Sequence, residues 1–292
     1  MNILKHSICP DCKEKLDIEN EKLTCKNCGR IFQIKDNLFY LLPKYLSSSD
    51  MAEERAWTTV RSQPHPLLEL LHKKDLILHF FEQMLPKFEF RGAILEIGSG
   101  DCWFSSLIKL MFPDTYVIAS DVSHTGLFKG FQVDEFLNSG IDCFVVCKTE
   151  QLPFEDCLFD FVVGSSVLHH TCPQETINQI FRVLKENGVY IGTWELSIPK
   201  ILAVLWGSRF GLAGRTEREL GFKEGNYSLN QWKSYFEEAG FRDINFNLDR
   251  NPKYKHYHWF INLYYKVVSR LPESFVRRYL ACNISIIARR MN

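Results

Sequence analysis

No run of apolar residues in this 292-residue chain approaches the roughly 18 needed to cross a membrane. Net charge is missing too: Lys plus Arg and Asp plus Glu stand at 35 each. A neutral total argues against an extended nucleic-acid footprint, which needs a basic surface, although a local basic patch is compatible with it. Met1-Asn2-Ile3-Leu4-Lys5-His6 holds no apolar signal-peptide core, so a cytoplasmic location is expected. Cysteine is not scarce. There are ten, and four of them have a better use than disulfides.

Those four are Cys9-Pro10-Asp11-Cys12 and Cys25-Lys26-Asn27-Cys28, two C-x-x-C knuckles twelve residues apart. Each knuckle places two thiolates on one tight turn, and two turns close a tetrahedral sulfur shell. The pattern predicts structural zinc on Cys9, Cys12, Cys25 and Cys28; two unrelated C-x-x-C pairs are the alternative. Between them Lys15–Ile18 and Lys22–Thr24 read as a hairpin. A segment this small needs its metal to fold. With the tail Ile31 to Pro43, residues 1–45 resemble the zinc ribbon typified by the activator subunit of tRNA methyltransferases.

Ala93-Ile94-Leu95-Glu96-Ile97 is a short apolar run, broken at Gly98-Ser99-Gly100 and followed by Phe104, Leu107, Ile108 and Met111 at helical spacing. Strand, glycine turn and helix make a nucleotide site, because glycine lets backbone approach a ligand and a helix N-terminus offers free N–H groups. Asp121 closes a second apolar run 21 residues after Gly100, placed to hold ribose hydroxyls. The third glycine of G-x-G-x-x-G is absent, Trp103 standing in its place.

Glu96-x-Gly98-x-Gly100 instead resembles motif I of the class I S-adenosylmethionine (SAM)-dependent methyltransferases, with Cys102 where that family has a further glycine. Later blocks continue the resemblance from about Arg91 to Glu195: Glu150-Gln151-Leu152-Pro153-Phe154, Phe159-Asp160-Phe161-Val162-Val163, Ser165 to His170, and Arg182 to Gly188. They look like the small-molecule (type 11) branch. The family's acidic residue shortly before Glu150 is missing; Cys147, Lys148 and Thr149 stand there.

The resemblance implies an α/β fold, a Rossmann-like seven-stranded methyltransferase sheet, behind the small N-terminal zinc ribbon. It implies a ribbon over 1–45, a linker with lid helices over 46–90, and a methyltransferase domain over 91–292 with cap inserts near 197–230 and 251–280. It implies that Gly98, Ser99 and Gly100 let backbone approach SAM, that Glu96 orients the loop, that Asp121 holds the ribose, that Glu150, Gln151 and Leu152 lie near the adenine, and that Ser165 faces the methionine moiety or the acceptor. His169 and His170 are the weak candidates for a general base.

Transfer of methyl to a small or medium acceptor is the leading function. An RNA base methyltransferase of the ribosomal-RNA guanine kind is the alternative, and a non-catalytic binding protein the second. The aromatic and basic stretch Lys253 to Tyr265, with Arg277-Arg278-Tyr279, fits bases, a lipid or a membrane face, or ordinary packing on the sheet. The acceptor and the oligomeric state are not legible.

Overall fold

The computed structural model describes residues 3–19, 22–61, 65–79, 81–82, 87–199, 221, 225–249 and 259–291. Most of the first cap insert and residues 251–258 of the second therefore lie outside the described residues.

The hairpin β1 (Leu16–Glu19) and β2 (Lys22–Cys25) pairs antiparallel, and β2 pairs with β3 (Ile31–Phe32). Two further strands of the ribbon's tail, β4 (Ile34–Lys35) and β5 (Leu38–Tyr40), leave this small sheet. They join a large one whose order is β11-β12-β10-β9-β6-β7-β8-β5-β4. Its core is the apolar runs read from the sequence: β6 (Ala93–Ile97), β7 (Tyr116–Asp121), β8 (Cys143–Val146), β9 (Phe159–Ser165) and β10 (Leu184–Ser197), all parallel. Near-continuous apolar sequence suits strands covered on both faces. The last strands, β11 (Asp243–Asp249) and β12 (Cys282–Arg289), add an antiparallel edge.

The seven expected strands are thus present, and the sheet is two strands wider. Leu38, Phe39 and Tyr40 run parallel to Phe144, Val145 and Val146. An edge strand leaves a row of unpaired N–H and C=O groups, and the ribbon's tail covers it. The junction has a second seam, where the Ile8 N–H donates to the Pro153 carbonyl and the Glu155 N–H to the His6 carbonyl, both within 3.0 Å. Cys9, Leu16, Leu23 and Phe32 share one buried cluster with Val145, Leu152 and Phe154.

Helices cover both faces. After α1 (Ser48–Ala56), with a Ser47 capping box, come a π turn at Trp57–Arg61 and the short α2 (Pro66–His72) and α3 (Lys74–His79). The crossover helices are α4 (Trp103–Met111), α5 (His124–Leu137) and α6 (Pro173–Val183). α7 (Leu229–Ala239) ends on Gly240 in the left-handed region. α8 (Trp259–Val268) and α9 (Glu273–Tyr279) lie between β11 and β12. No described helix is long and apolar enough to cross a membrane.

Candidate cofactor crevice

Parallel α/β sheets bind ligands outside the carboxyl ends of their strands, where strand order reverses. Here that point lies between β6 and its neighbours β7 and β9. Gly98 and Gly100 sit there at φ +58° and +48°, a region that penalises any side chain. Ser99 donates through its N–H and hydroxyl to the Ser120 carbonyl, tying the loop to the end of β7. Asp121 accepts from the Gly100 N–H at 2.9 Å and from the Ser123 N–H at 2.7 Å. One carboxylate therefore fixes both loops of the crevice.

Glu96 lies under this loop, 1% exposed. It accepts from the backbone N–H and the hydroxyl of Ser105, in the first turn of α4. Burial pushes its carboxyl up to about 8, against those two hydrogen bonds. Its carboxylate ties the end of β6 to the first turn of α4.

Cys102 proves compatible with its position. It is left-handed at φ +54° and fully buried, and a side chain on the facing Gly130 would meet its sulfur at 2.2 Å. A side chain gained at 102 is matched by one absent at 130.

The three residues expected near the adenine divide. The Glu150 carboxylate accepts from the Cys172 N–H at 3.0 Å, at the start of α6. Leu152 is fully buried in the core. The enclosed Gln151 Oε1 has no hydrogen-bond partner among the described residues, and neither has Ser165 Oγ at the end of β9. Such atoms are costly unless a ligand or water satisfies them.

Three acidic residues of α1 reach across the crevice, and sequence reading did not place them. Asp50 meets Lys148 at 2.7 Å, so an acidic side chain from 98 positions away reaches the stretch just before Glu150, where the chain has none of its own. Glu53 is 3.7 Å from His170. Glu54 accepts from the Ser123 hydroxyl at 2.5 Å and from Thr125. Burial pushes the Glu54 carboxyl up, but these hydrogen bonds outweigh it and hold it below its ordinary value. The strap brings Trp57, 5% exposed, over the glycine loop. A side chain on Gly100 would meet its ring at 2.3 Å, and one on Gly126 at 3.0 Å.

On the β9 side, Val167 packs over Gly98, where an added methyl would lie 2.3 Å from it. His169 follows, its Nδ1 2.7 Å from Glu195. Glu195 is fully buried, and also accepts from the N–H groups of Val167 and Leu168 at 2.9 Å and of His169 at 3.3 Å. The reading from sequence missed it. Strand β10 shifts register between Gly192 and Glu195, and Trp194 sits at φ +60°. Such a bulge re-aims the next side chain. A lone acid ending an apolar run was the available signal. The His170 ring lies 4.2 Å from that of His169.

In the ribbon the sulfur atoms of Cys9, Cys12, Cys25 and Cys28 all lie within 4.8 Å of one another. Cys9 and Cys28 are 3.7 Å apart, and Cys12 and Cys25 3.3 Å. Zn–S bonds of about 2.3 Å at tetrahedral angles require roughly 3.8 Å, so the cluster fits a closed structural zinc.

Residues 95–192 match the family described as a methyltransferase domain, and residues 1–37 match that of Trm112p-like proteins. No curated protein matches the chain. Solved structures share its fold at low identity. Geranyl diphosphate C-methyltransferase from Streptomyces coelicolor, in complex with Mg2+, geranyl diphosphate and S-adenosyl-L-homocysteine, is 12% identical over 84% of this chain and 99% of that one, with a TM-score of 0.60. A complex between the Haloferax volcanii Trm112 methyltransferase activator and a methyltransferase is 11% identical over 85% and 100%, at 0.54. Haemonchus contortus phosphoethanolamine N-methyltransferase 2, in complex with S-adenosyl-L-methionine, is 15% identical over 86% of this chain, which spans 61% of that enzyme, at 0.53.

Proposed function

We propose an acceptor class for a chain that is, by its central domain, a SAM-dependent methyltransferase: it methylates a small or medium-sized acceptor inside a crevice closed by its own N-terminal helix. The observation that carries this reading is the strap of Asp50, Glu53 and Glu54 onto the three loops of the crevice. A site covered this closely suits an acceptor that can be enclosed. The neutral total charge points the same way.

SAM supplies a methyl group on sulfonium sulfur, already a good leaving group. The residues therefore need to align and to exclude water more than to activate. Gly98 and Gly100 allow backbone contact with the cofactor. Asp121 receives the ribose hydroxyls while keeping the loop N–H groups. Gln151 Oε1 and Ser165 Oγ, otherwise unsatisfied, meet the cofactor or acceptor. Trp57 roofs the nucleoside and keeps water out. His169, with its proton held on Nδ1 by Glu195, takes the acceptor's proton on Nε2.

Calorimetric titration of SAM and S-adenosylhomocysteine into zinc-replete protein tests the reading, with Asp121→Ala as the control. Wild type binds with a dissociation constant in the micromolar range, and the variant loses roughly tenfold or more, since hydrogen bonds to a charged group contribute about 1.5–3 kcal/mol. No binding by folded wild type would overturn the site assignment. Fluorescence supplies a second check. S-adenosylhomocysteine changes the indole emission of wild type, and Trp57→Phe removes most of that change. An unaltered response in the variant would place Trp57 away from the cofactor.

A further inference from the structure

The hairpin of α8 and α9 joins β11 to β12 with two different faces. One is ordinary core: Val268 and Val276 are buried with Cys282, and Tyr264, Tyr265 and Leu271 pack against them. The Tyr264 hydroxyl donates to the Ala281 carbonyl. That face settles half of what the aromatic stretch does. The other face is not core. Leu263 and Val267 are 52% and 51% exposed, one helical turn apart, and Phe275 and Tyr279 are 44% and 47% exposed on α9.

Cations share these stripes. Lys266 and Arg270 are exposed at helical spacing with Leu263 and Val267, and Arg278 with Phe275 and Tyr279. From Asn251 to Leu280 there are six Lys and Arg against one acidic residue, Glu273, in a chain whose total charge is zero. Exposed aliphatic and aromatic side chains mixed with long cationic ones match a membrane interface, where apolar groups enter the headgroup boundary and ammonium and guanidinium groups stay at the phosphates.

Nucleic acid fits this face less well. Base stacking needs open aromatic platforms. Phe275 and Tyr279 are engaged with each other, ring centroids 5.0 Å apart, and Arg278 lies over the Tyr279 ring at 5.4 Å. Leu263 and Val267 offer nothing to a base.

The placement is also informative. Ser197, at the carboxyl end of β10, pairs with Cys282 at the start of β12, and Asp249 ends β11 beside Asn283. The hairpin therefore leaves the sheet at the same rim as the cofactor crevice.

We infer that the outer face of α8–α9, carried by Leu263, Lys266, Val267, Arg270, Phe275 and Arg278, docks on an anionic lipid surface and turns the rim of the crevice toward it. The inference goes beyond the acceptor reading and does not depend on it.

Co-sedimentation of the full zinc-loaded chain with vesicles tests it without any methyl transfer. Vesicles of phosphatidylcholine containing phosphatidylglycerol carry the protein down, those of phosphatidylcholine alone do not, and added salt releases it. Lys266→Gln with Arg270→Gln weakens binding roughly 25-fold, at about fivefold per cation. Leu263→Ser with Val267→Ser weakens it as well, while circular dichroism stays that of wild type because all four side chains are exposed. Wild type remaining in the supernatant with anionic vesicles overturns the inference, as does a charge variant that binds like wild type. Retention on polyuridine without retention on vesicles overturns it in favour of nucleic acid.

Discussion

Removing zinc is expected to melt the methyltransferase sheet as well as the ribbon. Structural zinc contributes on the order of 10 kcal/mol to folding of small ribbons, and four sulfur atoms within 4.8 Å of each other provide its shell. In an independent ribbon that loss would stay local. Here the same short segment supplies β5 to the edge of β8, the strand-like contact of Ser7 with Phe154, and Cys9, Leu16, Leu23 and Phe32 to the common core. If about 5 kcal/mol of the loss reaches the sheet, its thermal midpoint falls by roughly 10–20 °C. Cys25→Ser, or a strong chelator, should therefore shift the midpoint followed by far-ultraviolet circular dichroism, in parallel with metal content. A sheet that melts unchanged after the zinc has gone would make the ribbon an appendage.

The second large effect is expected at Glu195. Its carboxylate takes backbone N–H groups from Val167, Leu168 and His169 together with His169 Nδ1. Truncation to Ala would strand those donors at about 1–3 kcal/mol each and confuse folding with catalysis. Glu195→Gln is the informative change. Its amide nitrogen donates to Nδ1 and forces the imidazole proton onto Nε2, where a base must have its lone pair. With an acceptor obtained by screening, kcat should fall by about 10²–10⁴-fold, the usual worth of a general base. Binding of S-adenosylhomocysteine should stay within about threefold. His169→Ala should cost a similar factor, and the double variant little more, because the two act as a unit. Near-normal turnover in a folded Glu195→Gln would leave the pair a structural clamp on the loop over Gly98.

The features legible in the sequence were those written in local spacing. The knuckles at Cys9 and Cys25, the glycine loop at Gly98 and the apolar strands each occupy a few consecutive residues, and their chemistry dictates their geometry. Illegible were the features made by partners far apart along the chain. Asp50 on Lys148, Glu54 on Ser123 and Trp57 over Gly100 join an N-terminal helix with no distinguishing pattern to loops 43 to 98 residues away. Glu195 escaped because its aim is set by a register shift between Gly192 and Glu195 within a strand that runs on to Ser197, which local spacing does not show. Two departures from the family pattern, Cys102 and the missing acidic residue before Glu150, have counterparts distant in sequence: Gly130 faces Cys102, and Asp50 pairs with Lys148.

The parallel pairing of Leu38–Tyr40 with Phe144–Val146 has a further consequence for stoichiometry. A ribbon and a methyltransferase on separate chains associate by mass action, and dilution parts them. On one chain, tethered segments meet at an effective concentration in the millimolar range whatever the amount of protein. The ribbon of this chain is never limiting, is not shared among competing enzymes, and cannot be withheld as a means of control.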